Sequence, residues 1–152
     1  MAKIAVAVPP AVVTAAVVAF VALELSGRTP SSLEVPRNVA EAAASGAASE
    51  VLRLLRSGDD PRRIWPVRDE IISPVVTRVT ALEAAVWTRQ SRLLWLFEHE
   101  GVTVADETRR HLACLAQDIS APEVEEYLSP GRRPDCVRGA ALEIVMQRFR
   151  PD

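Results

Sequence analysis

The sequence predicts an all-α protein: an N-terminal transmembrane helix followed by a short stack of helical hairpins with one extended inserted loop. Three observations predict it. Residues 4–25, IAVAVPPAVVTAAVVAFVALEL, hold a single charge, Glu24. Downstream, apolar residues recur at i, i+3 and i+4 in separate stretches, with no sustained strand-like alternation. Gly58, Gly101 and Gly131 each follow such a stretch, where a helix C-cap would lie.

The elements follow in order. Residues 1–25 form the expected anchor. As a helix the apolar run is about 33 Å long, enough for a hydrocarbon core of roughly 30 Å. Pro9 and Pro10 imply a kink or a later start, which a membrane helix tolerates. Lys3 precedes the run, and Arg28 and Arg37 follow it. These flanks nearly cancel, and the reading leans slightly to a cytoplasmic domain behind a single span. Residues 26–37, SGRTPSSLEVPR, are polar with two prolines and read as a linker. Residues 38–152 form the helical domain. Its apolar stripes are Val51/Leu54/Leu55, Leu93/Leu96/Phe97 widened by Leu94, Leu112/Leu115/Ala116, Val124/Tyr127/Leu128 and Val137/Ala140/Ala141/Ile144. IISPVVTRV, residues 71–79, is β-branched, but Pro74 interrupts it, and it reads as an extended loop.

Gly58, Gly101 and Gly131 are separated by 43 and 30 residues, a range that calls for a repeat test. Residues 80–102 carry Thr80, Leu82, Ala85, Leu93, Leu94, Leu96, Phe97 and Gly101 in an order that resembles an ankyrin repeat. Ala81, Glu83 and Arg89 depart from that family's Pro, His and first Gly. Residues 39–61 resemble the same unit through Ala42, Ala43, Gly46, Val51, Leu54, Leu55, Gly58, Asp60 and Pro61. Residues 112–131 are a poorer third copy, and 134–149 would be a terminal covering helix. In this register Leu54, Leu96 and Leu128 should occupy equivalent buried positions. The resemblance implies an ankyrin-like helical-hairpin stack whose projecting finger is enlarged over residues 62–79. That finger could grip a partner, or fold back over the first repeat.

Composition and motifs bear on function. The chain has 18 basic and 20 acidic residues, a net charge of -2, which gives no general pull toward nucleic acid. Seventeen of the basic residues are Arg, a bias that suits a GC-rich bacterial genome. Arg53, Arg56, Arg62, Arg63 and Arg68, interspersed with acids, read as a solvated face. Cys114 and Cys136 lack a CxxC spacing and cannot make a zinc site alone. Cys114 in LACLA reads as a small buried residue, and the separation of 22 permits a disulfide without arguing for one. His99 and His111 fall in no HExxH pattern, and neither a GxSxG nor a P-loop is present. Asp59 and Asp60 before Pro61 read as a turn. No enzyme activity, metal or cofactor is therefore expected.

The expected function is a membrane-tethered, non-catalytic module that binds an unidentified protein. The expected contacts are Ile64, Trp65 and Arg68 on the finger with Trp87 and Arg89 at the end of a first helix, because large aromatics commonly anchor interfaces. Trp95, at an outward position of a second helix, is the odd aromatic and would suit a partner, a second copy or the membrane interface. The alternative is a structural or self-associating subunit of a membrane complex.

Overall fold

Small side chains set the architecture. The computed structural model describes residues 35–149. Its helices are α1 (Val39–Ala44), α2 (Ala48–Arg56), α3 (Ala81–Trp87), α4 (Ser91–His99), α5 (Asp106–Asp118), α6 (Pro122–Leu128) and α7 (Ala140–Gln147). They pair as hairpins, α1 with α2, α3 with α4 and α5 with α6. The first helices stand side by side, α1 on α3 and α3 on α5, while α4 contacts α6 in an outer row. Ala40, Ala42 and Ala43 of α1 and Ala81, Ala84 and Ala85 of α3 are fully buried. Alanine lets helix axes approach closely and loses no side-chain entropy on burial. Larger apolar residues, among them Leu93, Phe97, Leu112 and Leu115, fill the remaining core.

The three hairpins share one turn, bond for bond. Ala47 N–H donates to Ala42 O (3.0 Å), Gln90 N–H to Ala85 O (2.8 Å) and Ala121 N–H to Ala116 O (2.8 Å). The residue before each donor is left-handed: Gly46 at φ 71°, Arg89 at 60° and Ser120 at 55°. Glycine fits such a backbone best. At the first turn a Cβ on Gly46 would also meet the Gln90 amide, so that flexible side chain would have to shift. The turns are 43 and 31 residues apart, which aligns Leu54, Phe97 and Leu128, buried to 7%, 0% and 4% exposure. The expected equivalence of Leu54, Leu96 and Leu128 is thus one residue out of phase in the second hairpin. Leu96 is only partly buried.

The all-α expectation needs correction. Residues 62–79 were expected as an extended loop, yet β1 (Trp65–Val67) and β2 (Thr77–Val79) pair antiparallel, with Trp65 opposite Val79 and Val67 opposite Thr77. Val67, Thr77 and Val79 are buried while Pro66 and Arg78 are exposed. Pro66 is tolerated because β1 has one strand neighbour and its other edge need donate nothing at that position. Pro74 lies in the connecting loop, outside both strands.

The membrane expectation is also corrected. No helix among the described residues is long and apolar enough to cross a membrane. The longest, α5, has 13 residues and starts DETRR, against about 20 apolar residues for a span. The expected anchor over residues 4–25 lies outside the described residues. A single-pass membrane protein with its domain leaning to the cytoplasmic side therefore has no structural support, and that reading is set aside.

Two smaller readings shift. Val137 is 79% exposed and α7 begins at Ala140, so the last stripe is Ala141, Val145 and Phe149, with Ile144 48% exposed. Cys114 is bonded to Cys136, with Cα atoms 5.5 Å apart, which ties α5 to the irregular segment before α7.

Candidate functional site

Two buried carboxylates organise the inner row of helices. Asn38 caps α1, its Oδ1 accepting from Ala40 N–H and Glu41 N–H at 3.0 Å each. Thr80 caps α3. Its hydroxyl accepts from Glu83 N–H (3.1 Å), and Glu83 Oε2 accepts in return from Thr80 N–H (2.9 Å). Such reciprocal caps satisfy donors that a helix start leaves open. Glu41 and Glu83 then serve a second purpose. Glu41 accepts from Arg68 Nε at 3.1 Å, and Glu83 accepts from Arg148 Nη1 at 2.8 Å, with His111 Nε2 3.2 Å away.

Burial pushes the Glu83 pKa up. The His111 hydrogen bond, the Thr80 backbone N–H, the Arg148 charge and the Thr80 hydroxyl outweigh it, so the carboxyl is held at about 2 against an ordinary 4.5. A folded pKa below the ordinary value means the ionised group stabilises the fold above pH 4.5, and that contribution is lost as pH falls toward 2. We expect Glu83→Gln to remove about 2 kcal/mol of this acid-dependent stability, a figure discounted because solvent screens its partners. Urea unfolding across this pH range reads it. An acid limb as steep in the variant as in the parent would contradict the assignment.

The finger is anchored to the first hairpin. Asn38 Nδ2 donates to Pro66 O at 2.9 Å, and Arg68 N–H donates to Glu41 at 3.2 Å. The expected contact residues fall into different surroundings. Ile64 is exposed at the finger base. Trp65 packs partly on the core, its indole N–H donates to Asp60 O (2.9 Å), and the Arg63 guanidinium lies over its ring. Arg68 is bound to Glu41 as described. Trp87 is partly buried and its ring centroid is 5.9 Å from that of Phe149. Arg89 forms the left-handed turn and donates to Ile119 O (3.0 Å) in the next turn. The structure thus gathers Ile64, Trp65 and Arg68 on the finger, and engages Trp87 with the segment after α7 and Arg89 with the third hairpin.

A second cluster links the outer row. Tyr127 O–H donates to Glu98 at 2.6 Å, and Arg109 pairs with the same carboxylate. The Tyr127 hydrogen bond, above all, lowers the Glu98 pKa; burial, with Glu98 beside it, pushes Tyr127 up to about 12. His99 stacks on the exposed Trp95, with centroids 4.9 Å apart. Asp59 accepts from Val39 N–H (3.0 Å), and Asp60 accepts from Arg62 N–H (3.0 Å). Among the described residues no three His, Cys, Asp or Glu side chains converge as metal ligands would.

Sequence reasoning missed the carboxylate networks. Their local half is readable, since Asn38 and Thr80 each stand three residues before a Glu. Arg148, 65 residues from Glu83, has no local signal. No family model, curated protein or solved structure matches the chain. Neither the ankyrin resemblance nor a bacterial source gains support from likeness.

Proposed function

We propose that this chain is a non-catalytic protein-interaction module, a short ankyrin-like stack that binds a protein partner along its finger and the adjoining ends of its first helices. The recurrence of one turn through three hairpins carries the reading. Repeated units stacked in register present their loops along one face, the usual binding face of such arrays. The finger adds exposed apolar surface: Ile64 at 42%, Val75 at 49% and Val76 at 56%. Trp65 and Arg68 act beneath this surface and hold the finger in place. The Cys114–Cys136 bridge supports a working place where thiols are oxidised, since disulfides persist there and are rare in reducing compartments.

Replacing Ile64 and Val76 by Asp tests the reading, because both side chains are exposed and the fold should tolerate the change. Partner recovery, quantified from the source cells, should fall at least about tenfold, the loss of roughly 1.4 kcal/mol that a hot-spot pair exceeds. The unfolding midpoint should stay within about 0.5 kcal/mol of the parent. Undiminished recovery from the folded double variant rejects the finger as the contact. Self-association is the second reading. Trp95 favours it, being 55% exposed on the outer row.

A further inference from the structure

Glu83 and Trp87 stand four residues apart on α3 and so share a face of that helix. Two consecutive residues from the far end of the chain meet them. Arg148 Nη1 lies 3.1 and 2.8 Å from the two Glu83 oxygens, and the Phe149 ring tilts at 57° against Trp87. Charge is matched to charge and ring to ring, in the spacing of one dipeptide.

The helix that delivers this dipeptide has few attachments of its own. α7 has eight residues, well short of the length at which an isolated helix is stable. Only Ala141 and Val145 of α7 are buried, while Ile144 and Met146 are about half exposed. Its N-cap, Gly139, offers no side chain, and the cap comes from Asp118 of α5, which accepts from Gly139 N–H (2.7 Å) and Leu142 N–H (3.2 Å). Beside the Arg148–Glu83 pair lies an open cleft of about 360 Å³, lined by Arg62, Glu107 and His111 among others. A buried acid and an indole on a well-packed helix are thus covered by a lightly held strap.

We propose that Glu83 and Trp87 form a receptor for an arginine followed by an aromatic residue, that Arg148 and Phe149 are its internal occupant, and that the protein partner presents the same pair and displaces α7. The proposal rests on the interaction-module reading and names the chemistry of the partner. The tether works for the internal occupant. The disulfide at Cys136 keeps α7 beside its receptor at high effective concentration, so only a partner that binds the vacated face well can compete.

The test uses the full chain with Arg148→Ala and Phe149→Ala, and a fluorescent synthetic peptide reproducing residues 140–152 as probe. Anisotropy should show saturable binding to the double variant and at least tenfold weaker binding to the parent chain. Adding Glu83→Gln to the double variant, or replacing the peptide's own arginine at 148 by alanine, should weaken binding at least tenfold. A folded double variant that ignores the peptide, or binds it regardless of Glu83, overturns the proposal. So does peptide binding that appears only as the chain dimerises, which would indicate exchange of α7 between copies. If the double variant unfolds, hydrogen exchange on the parent chain decides instead. Amides of residues 140–147 should exchange at least tenfold faster than those of α5, and equal protection overturns the proposal. These assays contain no cellular partner, so their failure is distinct from a failure of the finger variants to lose one.

Discussion

Phe97→Ala should cost about 3–5 kcal/mol, while its neighbour Leu96→Ala should cost less than about 2 kcal/mol. Phe97 is fully buried and lies in line with Leu54 and Leu128 through the shared turn, whereas Leu96 is only partly covered. Removing the ring forfeits its burial and leaves a cavity between hairpins that have little freedom to collapse. Arg53→Ala, on an exposed side chain, should change stability by less than about 0.5 kcal/mol and serves as the control. Equilibrium urea unfolding reads all three. Equal costs at Phe97 and Leu96 would contradict the alignment of the hairpins.

Loss of the Cys114–Cys136 bridge should cost about 3 kcal/mol, the chain-entropy value for a loop of 22 residues. For a domain of this size the melting midpoint should fall by roughly 10–20 °C. The effect should be local at first. Residues 129–139 contain no regular helix or strand, and α7 depends on them for its placement. Their amides should lose protection before those of α1 to α4. Scanning calorimetry of the Cys114→Ser, Cys136→Ser variant reads the magnitude, and an unchanged midpoint contradicts a constraining role for the bridge.

The hairpins were legible because their cues are local. Helical apolar stripes and closing glycines act within a few residues, and the periodicity of α2, α4, α5 and α6 reports which side meets the core. The phase of α4 was misjudged because Leu93, Leu94, Leu96 and Phe97 are all apolar, so pattern alone leaves the inward direction open. The β-hairpin escapes the sequence because Pro74 reads as an interruption of the β-branched run. Only three residues on each side pair, β1 packs on α1, and Val67 and Val79 are buried in the core cluster. Tertiary context decides so short a strand. The candidate contacts rest on a family resemblance, and their surroundings depend on partners far along the chain. Trp87 meets Phe149 and Arg68 meets Glu41, pairs that no local pattern specifies.

Binding of a protein through the finger side of the stack is the function proposed here. Site-specific photo-cross-linking tests it most directly, with a photoreactive residue placed in turn at Ile64, Val76, Trp95 and Arg53 of the full chain in its native cells. One heterologous adduct of the same mass is expected at Ile64 and Val76, and none at Arg53. Adducts of the chain with itself, at Trp95 alone, would contradict it in favour of self-association, and so would equal labelling at all four positions.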